Sequence, residues 1–293
     1  MDQANRLRDI VKARELNAVR EPVNARVITI TSGKGGVGKT NISLNLAILL
    51  RKLDKNIVLI DADLGLSNIE VLSSVIPKFN FGDVVSSKIG LEAALTDGPL
   101  GLKFLSGGAG LTALSNLSDK QISIVVNNFG ALDEISDIIL IDTGAGISRN
   151  VISFIKASNE IILVVTPEPT SIADAYAIIK SLRRAGSLPQ AMRIVVNMVN
   201  NLSEGIDIFE KLNKVSEQFL GAKLEILGVI PFDYSVPRAV KRQEPLVLCY
   251  PHSESAKSLE NISYKLLNME SKYRQNASGI ATFMNRLVNN LRA

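Results

Sequence analysis

Short, nearly unbroken apolar runs rich in β-branched residues recur at 27–31, 56–60, 137–141, 160–165, 193–196 and 224–230. Between most of them the apolar positions switch to helical spacing, at 42–53, 121–132, 148–157, 172–185 and 206–220. Strands that are apolar on both faces and alternate with helices predict a mostly parallel, doubly wound α/β sheet covered on both sides. In such sheets ligands collect outside the carboxyl ends of the strands. The loops that follow the strands are therefore where chemistry is expected. No fixed-period repeat or composition break divides residues 26–268, which predicts one domain with a helical extension at each end.

The two extensions carry different patterns. Residues 2–19 set Leu7, Ile10, Val11 and Leu16 among Arg6, Arg8, Lys12 and Arg14, an approximate helix with a basic face, before Glu21-Pro22-Val23-Asn24 breaks it. At the other end Ile280, Phe283, Met284, Leu287, Val288 and Leu291 follow i, i+3, i+4, i+7, i+8 and i+11. That is one unbroken apolar stripe, with Arg286, Arg292 and asparagines on the rest of the helix. Such a stripe packs either on protein or on a membrane surface. The stretch 77–110 is irregular, and its Ser106-Gly107-Gly108-Ala109-Gly110 loop suits a plain turn as well as an anion nest.

Composition narrows the classes. A chain of 293 residues with 46% hydrophobic residues buries a sizeable core. A net charge of +4 permits weak attraction to anionic lipid or nucleic acid and singles out neither. Cys249 is the one cysteine and lies in an apolar run, so no disulfide forms within the chain, and the one histidine, His252, has too few companions for a zinc site. Asp2, Asp9 and Glu15 interrupt the N-terminus where a secretory signal needs an apolar region, and no apolar stretch approaches the roughly 20 residues of a spanning helix. The expected location is the cytoplasm.

The first strand run leads into Gly33-Lys34-Gly35-Gly36-Val37-Gly38-Lys39-Thr40, which satisfies G-x-x-x-x-G-K-[ST] at every fixed position. Its glycines let backbone N–H groups close on a polyphosphate at the positive end of the following helix, which takes in Asn41. Lys39 is placed to reach the β/γ-phosphates and the Thr40 hydroxyl to bind Mg²⁺. Lys34 adds a charge that the simple motif does not need. Two other strands end in acids: Asp61-Ala62-Asp63-Leu64-Gly65 and Asp142-Thr143-Gly144-Ala145-Gly146. A strand-end carboxylate can hold Mg²⁺ beside a triphosphate, and Asp142 fits that place. Asp61 and Asp63 alternate along a strand, so one is expected at the metal and the other at the attacking water. The glycines 65, 144 and 146 allow loops that respond to the γ-phosphate.

These motifs resemble those of the MinD/ParA ATPases. Residues 34–40 look like that family's deviant Walker A loop, 61–68 like its first switch and 142–146 like its second. Asp2-Gln3-Ala4-Asn5-Arg6-Leu7-Arg8 and Thr166-Pro167-Glu168-Pro169-Thr170-Ser171 are similar to segments of its FlhG group, the MinD-like regulators of flagellar number and placement. The resemblance implies a slow, dimerisation-dependent ATPase of the P-loop fold in which Lys34 reaches across an ATP-bound homodimer. Asp63 would then position the attacking water, with Asp61 and Asp142 around Mg²⁺. It implies adenine contacts from Asn197 and from Pro231-Phe232-Asp233. The missing N-K-x-D motif after Asn197 argues for ATP over GTP.

The resemblance also implies that the segment carrying Asp2, Gln3, Ala4, Leu7 and Arg8 stimulates an SRP-type GTPase, FlhF. By the same likeness the C-terminal stripe targets the inner face of the cell membrane in the ATP state, and the onward partner is a C-ring protein or a flagellar transcription activator. A MinD-type division-site ATPase or a ParA-type DNA-partition ATPase is the alternative. No dense Lys/Arg patch calls for DNA, and sequence-specific nucleic acid binding is not expected. A shared iron–sulfur cluster at such an interface needs more cysteines than this chain has.

Overall fold

The computed structural model describes residues 24–63, 68–107, 114, 117–189, 191–269 and 278–292. The apolar runs become strands β1 (Arg26–Ser32), β2 (Ile57–Ala62), β5 (Ile138–Ala145), β6 (Glu160–Val165), β7 (Ala191–Val199) and β8 (Glu225–Pro231). Two further strands, β3 (Thr96–Asp97) and β4 (Lys103–Leu105), arise in the irregular stretch. All eight join one sheet in the order β3-β4-β2-β5-β1-β6-β7-β8. Only β3 runs antiparallel, pairing with β4. Every residue of β1, β2 and β6 is buried, as parallel strands covered on both faces require.

Among the described residues the helices of eight residues or more are α1 (Lys39–Lys52), α2 (Asp119–Gly130), α3 (Arg149–Ala157), α4 (Pro169–Arg184), α5 (Leu202–Leu220), α6 (Ser235–Arg242), α7 (Glu254–Asn268) and α8 (Gly279–Arg292). Alternate residues of β1 serve opposite faces. Ile28 and Ile30 join Leu44, Ile48, Leu259 and Ile262 of α1 and α7. Val27 joins Phe129, Phe154 and Phe283 of α2, α3 and α8. A third cluster packs α4 and α5 on β6 and β7 through Ile178, Ile179, Leu182 and Leu212.

The C-terminal stripe is seated on the protein. Ile280, Phe283, Met284, Leu287, Val288 and Leu291 are all at most 7% exposed. Phe283 meets Phe154 of α3 with ring centroids 6.1 Å apart. Arg149 Nη2 donates to Leu291 O at 3.0 Å, and Asn290 Nδ2 to Ser153 O at 3.3 Å. Burying six such side chains contributes on the order of 10 kcal/mol before ordering entropy is subtracted. Any membrane contact through this face must first undock it. The residue before β1 and the first turn of α8 meet at Asp133, whose Oδ1 accepts from Ala25 N and from Ile280 N, each at 3.0 Å.

At the amino ends of the strands, opposite the motif-bearing loops, the Glu160 carboxylate joins two arginines. Arg26 Nε and Nη2 reach its two oxygens at 2.6 and 2.7 Å, and Arg193 Nη1 lies 2.6 Å from Oε2. Arg26 also donates to Leu266 O of α7 at 2.8 Å. This cluster, 0–3% exposed, ties β1, β6 and β7 to the last turn of α7.

Candidate nucleotide-binding site

The phosphate loop leaves β1 and closes on α1. Gly38 caps α1 with φ of 87°, and no side chain there accepts from the helix's first N–H groups. Those donors remain for a ligand. Gly33 has a second reason to be glycine: a Cβ there would come 2.5 Å from Asp174 Cβ and 2.6 Å from its carbonyl carbon, on the first turns of α4. The loop thus lies flat against α4, and any larger residue would lift it away.

Two strand-end aspartates converge on the loop. Asp61 and Asp142 are register partners on the adjacent strands β2 and β5, 1% and 0% exposed. Lys39 Nζ lies 3.3 Å from Asp142 Oδ1, and Ser43 Oγ, one turn further along α1, lies 3.0 Å from the same oxygen. Asp61 Oδ1 accepts from Asp63 N at 3.0 Å as the chain turns out of the sheet. Asp63 itself stands beside Gly144, its Oδ1 3.5 Å from where a Cβ on that glycine would be. Between these two loops is a cavity of about 160 Å³, lined by Asp63, Thr143, Gly144, Ser148, Asn150 and Phe154 among others.

The electrostatics of the pair are unbalanced. Burial and then the like charge of Asp142 push the Asp61 carboxyl up to about 7. Burial also raises Asp142, against the opposing pull of Lys39, Thr40 and Ser43. Asp61 Oδ2 and Asp142 Oδ2 are both buried without a hydrogen-bond partner among the described residues. Two adjacent carboxylates, one of them paired with Lys39 and hydrogen-bonded by the Thr40 hydroxyl, each with an orphaned oxygen, fit an oxygen-preferring divalent cation.

The remaining expected residues are placed as follows. Lys34 Nζ pairs with Glu168 and lies 3.2 Å from Thr170 Oγ1 at the start of α4. Asn197 reaches the loop from the end of β7, its Nδ2 donating to Val37 O at 2.8 Å. Phe232 is 52% exposed and stands edge-on to Tyr234 at 5.1 Å. Pro231 ends β8, and its carbonyl accepts from Ser255 Oγ at 2.9 Å. Asp233 is a cap: burial raises its pKa, but donors on Ser235 and Ser255 outweigh that and hold it below the usual range. Of the three residues 231–233, Phe232 is the one with an exposed ring.

The stripe of α8 lies apart from the loop, on α2 and α3. Asp2, Gln3, Ala4, Leu7 and Arg8 lie outside the described residues, as do Leu64, Gly65 and the 108–110 part of the glycine-rich loop. Sequence reasoning missed Ser43 and the Glu168–Thr170 pairing of Lys34. The signal for Ser43 was its place four residues after Lys39, on the same helix face.

A strand–loop–helix with a bare helix start, a loop lysine and two strand-end aspartates defines a P-loop nucleotide-binding protein. Residues 28–246 match the CobQ/CobB/MinD/ParA nucleotide binding domain. The chain belongs to that family. It is 39% identical over 241 residues to the antiactivator FleN of Pseudomonas aeruginosa, covering 82% of this chain and 86% of that protein. It is 32% identical to the flagellum site-determining protein YlxH of Helicobacter pylori, covering 90% of each. Among solved structures it resembles the MinC:MinD cell division complex of Aquifex aeolicus, with a TM-score of 0.67, 27% identity, and 83% and 96% of the two chains covered.

Proposed function

We propose that this chain is an ATP-binding and ATP-hydrolysing regulator of flagellar number and placement, of the FlhG (YlxH/FleN) type. The observation that carries the reading is the Asp61–Asp142 register pair with its two orphaned oxygens beside Lys39. It stands in a chain similar to the antiactivator FleN over 82% of its length.

In this reading the N–H groups of residues 33–41 and the start of α1 hold the phosphates, and Lys39 swings from Asp142 to the β/γ-phosphates. Thr40, Asp61 and Asp142 would hold Mg²⁺, which when bound neutralises charge on the phosphate oxygens. Asp63, at the mouth of the cavity beside Gly144, orients the attacking water. Lys34 leaves Glu168 and stabilises the transition state in a partner subunit, so turnover is slow and follows dimerisation. The protein works in the cytoplasm. In the ATP state α8 undocks and binds the inner face of the membrane, two weak anchors acting together in the dimer. The segment of Asp2, Gln3 and Arg8 stimulates an FlhF-type SRP GTPase, and a C-ring protein or a flagellar transcription activator receives the signal.

The test is ATP turnover of the purified protein, alone, with anionic liposomes and with DNA. Stimulation by lipid is expected. Stimulation by DNA alone would favour a partition ATPase, and no ATP binding at all would end the nucleotide reading.

A further inference from the structure

We propose that Met198 forms an apolar wall of the base subsite, against which the flat face of a purine packs. This rests on the nucleotide-binding reading and adds a residue to Asn197 and Phe232.

Met198 is the one described non-glycine residue inside a β-strand with a positive φ, at 60°. A long side chain in the left-handed region is strained, and such outliers gather where a ligand is held. A local cause is visible. Asn197 pairs with Ile230 and Val199 with Pro231, so β7 carries one extra residue opposite β8. A bulge of this kind re-aims a side chain without ending the strand. Here it turns Met198 outward, 37% exposed, while Val196, Asn197 and Val199 on either side are 0%, 8% and 0% exposed.

The side chain turns towards the phosphate loop. A Cβ added to Gly38 would lie 3.6 Å from Met198 Cε, so its methyl group overlies the start of α1. On the far side Phe232 N donates to Val199 O at 2.8 Å, which fixes the 52% exposed Phe232 ring close to the bulge. Met198 and Phe232 therefore flank the end of β7, where Asn197, directly before Met198, is braced on Val37. A thioether beside an aromatic rim is soft, apolar and suited to a π-face. A methionine needed only for packing would be buried, and a residue needed only to shape the bulge would be glycine or asparagine.

The experiment uses the full chain and two variants, Met198→Ala and Met198→Gly. Binding of MgATP and of magnesium tripolyphosphate, which lacks a base, is titrated without turnover. Met198→Ala is expected to weaken ATP about 3- to 10-fold and to leave tripolyphosphate affinity unchanged. Met198→Gly, whose backbone takes this φ without strain, is expected to lose ATP affinity at least as much while keeping or raising its thermal midpoint. Unchanged ATP affinity in both variants overturns the proposal. So does an equal loss for tripolyphosphate, or a midpoint that falls along with affinity, since either assigns Met198 to the loop or the fold. A wild-type chain that binds neither probe would instead overturn the nucleotide reading on which this one rests.

Discussion

Lys34 is held at home by Glu168, 134 residues further along its own chain. Both partners are substantially exposed, 37% for the lysine side chain and 60% for the glutamate. An exposed pair of this kind is worth under about 1 kcal/mol, so it delays Lys34 without imprisoning it. Glu168→Gln is expected to tighten ATP-dependent dimerisation by no more than about 5-fold, read by sedimentation with a non-hydrolysable ATP analogue. Lys34→Ala is expected to abolish turnover, and full activity in that variant would remove the lysine from the mechanism.

The pH dependence of the nucleotide-free protein follows from Asp61. Its folded pKa, raised to about 7, lies above the ordinary aspartate value of 3.8. The folded chain therefore holds the proton more tightly than the unfolded one, and stability falls as pH rises between those two values. Asp142 is raised in the same direction. Asp61→Asn is expected to flatten part of that fall in thermal midpoint, leaving the share due to Asp142. Parallel pH profiles for the two proteins would contradict the assignment.

Glu160 gives a prediction about the fold alone. Glu160→Gln leaves the buried guanidiniums of Arg26 and Arg193 without their shared counter-charge. The expected loss is about 3–5 kcal/mol of stability, measured by urea unfolding. Nucleotide affinity of the remaining folded protein should not change, because the cluster lies at the opposite ends of the strands from Asp61 and Asp142.

Asp133 links the start of β1 to the first turn of α8. Its single Oδ1 accepts from both Ala25 and Ile280, so Asp133→Ala is expected to loosen both ends together. Limited proteolysis should then cut at residues 24–25 and within 279–292 at matched, increased rates, and liposome binding without ATP should rise. Release of one end alone would show that the two are independent.

The sheet was legible because fully buried parallel strands leave no polar alternation to confuse the reading: 57–60, 138–141 and 161–165 are apolar throughout. The phosphate loop was legible because its chemistry fixes both residue types and spacing. β3 and β4 were not, since two or three residues cannot show a period. Ser43 was missed because its place one turn after Lys39 puts it on the right helix face without naming the carboxylate it meets. The stripe from Ile280 to Leu291 announced a helix with one dry side, and periodicity is silent on what that side touches. Met198 escaped for a related reason: a bulge is a mismatch between two strands and cannot be seen in either one.

Helix α3 has two clients. Its Phe154 lines the cavity beside Asp63 and Gly144 and also meets Phe283 of the C-terminal helix. Its Arg149, four residues from the end of β5 at Ala145, holds the last turn of that helix through Leu291. The loop that would sense a γ-phosphate and the seat of the C-terminal helix are therefore separated by one side chain's thickness. No relay across the domain is needed. A tilt of α3 by the width of a methyl group would alter the cavity beside Asp63 and the fit of the C-terminal helix at once, so these nine residues would act as a short rocker between the two.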